Sequence, residues 1–270
     1  MDRREGTERS LWRRGADVVR ERPVAAALVL VLAVSAVFLA FPAIDLWASG
    51  LFYTPGKGFL LARSEPLRLF RRSGDIAVTA VVLLLLAAIA AKLVRPERPS
   101  PVAPNAVVFL LSSLALGPGL LVNVVLKDHW GRPRPAMVEA FGGSLPYVEV
   151  WRITGYCVKN CSFVAGEASS ALWLIALALV VPQRWRLAVA LLTGAYALLL
   201  SLNRIAFGGH FLSDVLLSFA LTALVIAVLW RLVVARPPPW LANARLEAGL
   251  TALGRRLRGR GPGDRHPPAA

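Results

Sequence analysis

The sequence predicts an all-α, polytopic membrane protein with six transmembrane helices, and three observations predict it. Of its 270 residues 56% are hydrophobic and 17% charged, with a mean hydropathy of +0.58. A soluble domain cannot cover itself with so few polar side chains. The apolar residues are gathered into runs that, with their flanks, can cross a hydrocarbon core of roughly 30 Å, a distance that takes about 20 helical residues. The basic residues behind the net charge of +15 collect at the two ends and in loops between runs. That is the pattern of membrane topology, so the expected partner is a lipid bilayer and no nucleic acid.

In chain order, the first run covers residues 24–41 and follows a basic stretch. It is long and no small-residue cleavage site follows it, so it reads as an anchor rather than a removed leader. The next are 76–94 and 106–126, the latter carrying Gly117-Pro118-Gly119, which should kink it. The fourth, 169–181, is the shortest and must borrow from its ends. The last two are 187–202 and 215–234. The expected layout is a basic cytoplasmic N-terminus (1–23), one membrane domain (24–234) and a basic tail (235–270). Within the tail, a short interfacial helix is expected around 240–257 after Pro237-Pro238-Pro239, with a disordered end. Arg255, Arg256, Arg258 and Arg260 read as a solvated end touching anionic headgroups.

With six crossings both termini share one side. The N-terminus, the 95–105 loop with Lys92, the Arg184/Arg186 turn and the C-terminal region hold 20 of the 31 Lys and Arg residues, which makes that side cytoplasmic. Loops 42–75, 127–168 and 203–214 then face outward, and they contain all the polar residues that look chemical. Cys157 and Cys161 lie in one of these loops. A disulfide and a pair of reduced thiols one helical turn apart fit them equally.

Two stretches on the outward side carry chemistry. Lys127-Asp128-His129-Trp130-Gly131-Arg132-Pro133-Arg134-Pro135 sets cations on a turn-rich loop after the third span. Such donors suit a phosphate, although cations snorkelling to headgroups explain this stretch alone equally well. The second stretch runs from Ser201 through Arg204, Gly208-Gly209 and His210 to Asp214. With the last helix starting near His210, Asp214 lies one turn on, where its carboxylate could hold one ring nitrogen and leave the other free to attack. A single histidine near a helix start is more often structural, and Asp214 and Arg204 are what distinguish this one. Gly208-Gly209 would let the backbone approach a phosphate, as a plain turn would also do.

The pattern Lys127, six residues, Arg134-Pro135, then Arg204, five residues, His210, three residues, Asp214, resembles the first and third signatures of the type 2 phosphatidic acid phosphatase (PAP2) superfamily. The related core would span roughly 76–234. The resemblance implies a PAP2-like helical bundle and a lipid phosphatase in which His210 attacks phosphorus, Asp214 orients it, and Lys127, Arg134 and Arg204 hold the phosphoryl oxygens. It implies no metal and no other cofactor. The substrate would be a membrane phospholipid or glycolipid such as lipid A, phosphatidate, phosphatidylglycerol phosphate or undecaprenyl pyrophosphate.

The family's middle signature, Pro-Ser-Gly-His, is replaced here by Val164-Ala165-Gly166-Glu167. Only Gly166 is retained, and the resemblance implies that its backbone would contact phosphate. The proton for the leaving oxygen then falls to Glu167, if it is protonated in a pocket beside a polyanion, or to His129 in reserve. Glu167 could equally just begin the fourth helix, where a carboxylate favours the N-terminal dipole. Residues 160–170, with Phe141-Gly142-Gly143, are similar to a bacterial branch that includes lipid A phosphatases. The competing expectation is a PAP2-like phospholipid-binding or transport protein that lost turnover with the middle histidine. The sequence leaves the oligomeric state open.

Overall fold

The structure is a computed structural model that describes residues 22–259. Almost all of the expected N-terminal segment (1–23), and the tail end with Arg260 and His266, lie outside the described residues. The fold is all-helical. Among the described residues there is no strand, only isolated bridges at Thr54–Gly58 and Val138–Leu145.

Among the described residues five helices are long and apolar enough to cross a membrane: α1 (Pro23–Ala40), α3 (Glu65–Val94), α4 (Pro104–His129), α6 (Gln183–Ala206) and α7 (Leu212–Ala235). A short helix, α2 (Ala43–Gly50), follows α1. The predicted fourth crossing forms α5 (Gly166–Val180), which is shorter than a span by the same measure. At 1.5 Å per residue it reaches about 22 Å, against the roughly 30 Å of a hydrocarbon core. Helix α8 (Asn243–Leu257) forms where the interfacial helix was expected.

The helix starts follow from local chemistry. Pro23 opens α1 at its first turn, where its missing N–H costs nothing, and Pro182 precedes α6. Helix α3 begins eleven residues before the predicted run, at Glu65. Its first turns carry Arg68, Arg71, Arg72 and Asp75, so apolarity stops at Ile76 while helical hydrogen bonding does not. That polar extension is fixed sideways, because Asn203 Nδ2 donates to the Leu67 carbonyl at 3.1 Å and the Ser73 and Tyr196 hydroxyls bond at 2.6 Å.

The Gly117-Pro118-Gly119 sequence does disturb α4, as a wide π-helical segment over Ala115–Leu126. Asn123 Nδ2 donates to the Pro118 carbonyl at 2.7 Å, satisfying a backbone acceptor beside the disruption.

The chain divides into two compact units. Of the described residues, one unit comprises 22–75 together with Ser113–Val228, and the other Ile76–Ser112 together with 229–259. The first has a core of Val31, Phe38, Val122, Leu126, Phe163, Leu217 and Leu221 and holds every predicted site residue. In the second, α8 is tied to the loop after α3. Glu247 pairs with buried Lys92 at 2.7 Å and accepts from Ser100 N at 3.0 Å, while Arg255 pairs with Glu97 at 2.8 Å.

Candidate active site

Three distant stretches are laced together by backbone hydrogen bonds before any side chain acts. Cys161 N and Ser162 N donate to the carbonyls of Lys127 and Arg132, Thr154 N and Cys157 N to those of Trp130 and Gly131, and Ala136 N to Gly208. Cys157 and Cys161 form a disulfide, which resolves the alternative that the sequence left open. Beneath the loops, Trp130, Trp151 and Phe163 pack ring to ring at centroid distances of 5.0 to 5.8 Å.

The centre of this arrangement is a buried charge cluster that the sequence did not reveal. Arg132, fully buried, donates from Nη2 to Asp45 Oδ2 at 2.8 Å and from Nη1 to Asp214 Oδ1 at 2.5 Å. Its Nε reaches the Val148 carbonyl at 2.8 Å, and its guanidinium lies 4.5 Å from the centre of the Phe211 ring. Burial alone would weaken its proton affinity, but the Asp214 and Asp45 carboxylates outweigh it and hold the guanidinium above its ordinary value. Asp45 comes from α2 and accepts from the Ser213 backbone N–H at 2.8 Å and from the Ser213 hydroxyl. Tyr147 also donates to it, at 3.2 Å. Burial and then Asp45 push the Tyr147 phenol above its usual range, so it stays a donor.

Asp214 therefore has a different task from the one expected. It is the third residue of α7, and its Oδ2 accepts from the Phe211 backbone N–H at 2.9 Å, half of a capping box, and from the Ser162 hydroxyl at 2.5 Å. His210 lies before the cap rather than on the helix face, so the expected one-turn pairing with Asp214 does not form. Its Nδ1 bonds instead to the Ser162 carbonyl at 2.8 Å. A carbonyl oxygen only accepts, so Nδ1 carries the proton and Nε2 keeps its lone pair. Asp214 meets the imidazole only at one remove, since it bonds to the hydroxyl of Ser162, whose carbonyl holds Nδ1, and to the backbone N–H of Phe211, the next residue.

His210 is buried, and burial first, then Arg204, Arg134 and Lys127, hold its imidazole well below the ordinary value of 6.5. The Ser162 carbonyl acts in the opposite sense and does not prevail. The three predicted cations thus all bear on the ring. Arg204 lies against the backbone beside it, where a Cβ at Gly209 would come within 2.4 Å of Nη2. Gly208 has a φ of +64°, which favours glycine. Arg134 donates to the Asn160 carbonyl at 2.8 Å, and burial lowers its guanidinium from its ordinary value. Gly166 is needed for space, since a Cβ there would sit 2.4 Å from Asn123 Oδ1 and 3.3 Å from Lys127 Nζ.

The two expected proton donors are occupied. His129 Nδ1 is bonded back to the carbonyls of Val124 and Val125 at 2.9 and 3.1 Å, on its own helix. Glu167 is ion-paired with Arg204 and, at 2.6 Å, with Arg71. Asp45, Arg71 and Arg132 are the residues sequence reasoning missed. Arg132 stood inside the first stretch, marked only by sitting between glycine and proline, and the other two had no local signal.

The arrangement is a helical membrane fold in which a buried histidine lies within the field of three cations, a setting suited to a phosphoryl group. The PAP2 superfamily model matches residues 106–238. A lipid A 4'-phosphatase of Rhizobium etli is 38% identical over 214 residues, covering 73% of this chain and 82% of the relative. A second, of Francisella tularensis subsp. novicida, is 37% identical over 185 residues, 66% of this chain and 81% of its own. A third, of Rhizobium leguminosarum, is 51% identical over 119 residues, 44% of this chain and about half (51%) of the relative's length. The first transmembrane PAP2 type phosphatidylglycerolphosphate phosphatase from Bacillus subtilis shares the fold, with a TM-score of 0.52 and 19% identity over 76% of this chain and 93% of that chain. The chain belongs to the PAP2 superfamily and is a membrane phosphatase.

Two outcomes test the site. Arg132→Met strands two buried carboxylates and should destabilise the protein by about 3–5 kcal/mol, read as a lowered Tm in detergent, whereas Arg134→Met should leave the Tm near wild type. Gly209→Ala should displace the Arg204 guanidinium and lower kcat/KM by roughly a hundredfold without unfolding the protein.

Proposed function

We propose that this chain removes a terminal phosphate from a membrane lipid through a phosphohistidine on His210. The observation that carries the reading is the imidazole itself: buried, with Nδ1 bonded to the Ser162 carbonyl, and with burial and the charges of Arg204, Arg134 and Lys127 favouring its neutral form. A neutral nucleophile beside fixed cations is what phosphoryl transfer needs, since catalysis there is largely positioning and charge stabilisation. Nε2 bonds to phosphorus as the bond to the lipid oxygen breaks. Water then attacks phosphorus and the P–N bond breaks, freeing phosphate and restoring Nε2. Over both steps one water is consumed, its proton ending on the lipid alcohol and its hydroxyl on phosphorus.

The relatives are named lipid A 4'-phosphatases, and this supports a phosphorylated glycolipid of the lipid A class as substrate. We place the protein in a bacterial inner membrane, with α5 and its flanks as the sixth crossing, both termini cytoplasmic and the site periplasmic. The bias of Lys and Arg toward the other side supports this orientation. So does a disulfide in a site loop, a bond that persists in oxidising compartments.

Purified protein should release phosphate from lipid A in the presence of chelator, and His210→Ala should abolish the release. Binding of lipid without turnover in both proteins would favour instead a PAP2-like binding or transport protein. Because the depressed His210 pKa keeps the ring neutral, kcat/KM should hold as pH falls through 6.5 and fail only well below it. An acid limb centred at or above 6.5 and owed to His210 would contradict this assignment.

A further inference from the structure

Glu167 is held between two guanidinium groups from different helices. Its Oε1 accepts from Arg71 Nε at 2.8 Å and Arg71 Nη2 at 2.6 Å, and its Oε2 meets Arg204 Nε. Arg71 belongs to the polar extension of α3 that the apolar run did not include, and Gly74, Asp75, Ser170 and Leu200 line the recess beside the bridge.

This geometry bears directly on Arg204. That side chain lies against Gly209, next to His210, so its placement along the backbone fixes where a phosphoryl oxygen bound to it would fall relative to Nε2. Arginine is long and rotamer-rich, and holding it in one geometry costs entropy at the moment of reaction unless the protein has already met that cost. Glu167 engages the inner nitrogen, Nε, and so leaves the outer fork of Arg204 for phosphate. Arg71 occupies the other carboxylate oxygen in a bidentate grip, which keeps Glu167 from swinging into the space a phosphate would take. The carboxylate also offsets part of the repulsion among Arg71, Arg204, Arg134 and Lys127 when no substrate is present.

We infer that Arg71 and Glu167 form a positioning pair that fixes Arg204 for the phosphoryl group, and that Glu167 serves as this brace rather than as the proton donor to the leaving alcohol. The inference rests on the phosphatase reading above.

The test compares two substrates, lipid A and p-nitrophenyl phosphate, whose phenolate leaves without needing a proton. A brace matters equally to both, so Glu167→Gln should lower kcat/KM on each by a similar factor, roughly ten- to a hundredfold, with the pH profile unchanged in shape. Arg71→Ala should reproduce that loss, and the double variant should be no worse than the worse single one, since the two residues act as a unit. Arg71→Lys, which keeps charge but not the bidentate grip, should recover activity only in part and guards against misfolding of the alanine variant.

A Glu167→Gln enzyme that fails on lipid A but spares the aryl ester, or losses that simply multiply in the double variant, would overturn the inference. So would an Arg71→Ala enzyme as active as wild type. Absence of turnover on both substrates by wild-type protein would instead sink the phosphatase reading itself, and this inference with it.

Discussion

The active region is organised around one buried cation shared by two carboxylates. Arg132 lies between Asp45 and Asp214, all three out of contact with solvent. Removing such charges from water is expensive, and their attraction repays it only when the remaining donors and acceptors are also satisfied. Here they are: the Val148 carbonyl, the Ser213, Tyr147 and Ser162 hydroxyls and two backbone N–H groups at the start of α7 complete the set. Because each group is satisfied in one arrangement, a misplaced loop leaves a buried charge exposed to its full desolvation penalty. The cluster therefore specifies where α2, the loop after α4 and the start of α7 must meet.

From that constraint the division of labour among the basic residues follows. Along Lys127 to Arg134 the chain folds back on itself. Arg132 turns inward to the carboxylates, whereas Lys127 and Arg134 are only half-buried and bear on His210. Residues of the same chemistry, a few positions apart, thus separate into one that joins the buried carboxylates and two whose charge bears on the histidine. The histidine is positioned mainly by main-chain atoms: the Ser162 carbonyl fixes its tautomer, and the bonds from residues 161 and 162 to 127 and 132 fix that carbonyl.

Much of this was legible in the sequence and some of it could not be. Five of the six expected crossings were readable because an apolar run is a local property, and Lys127, Arg134, Arg204 and His210 stood out because their spacing is local too; the structure brings the three cations to bear on the histidine. The polar start of α3 lies outside the apolar run for a physical reason: apolarity marks where a helix meets lipid, whereas the hydrogen bonds that wind it continue back to Glu65, past Arg71 and its pair with Glu167. Asp214 was given the wrong contact because one-turn pairing presumes that both residues are helical, and His210 precedes the cap. Asp45, whose partners lie 87 and 168 residues away, leaves no trace in any window of sequence.

The wide segment of α4 has an effect at its far end. Each extra residue wound into a helix rotates everything beyond it by about 100° around the axis, because a regular α-helix advances 3.6 residues per turn. Lys127 is the first residue beyond that segment, and its ammonium lies where a side chain on Gly166 would be. Wound regularly from the same starting point, the chain would carry Lys127 away from Gly166. The glycine–proline–glycine interruption, midway along a membrane helix, thereby acts as a dial that sets the bearing of the Lys127 ammonium.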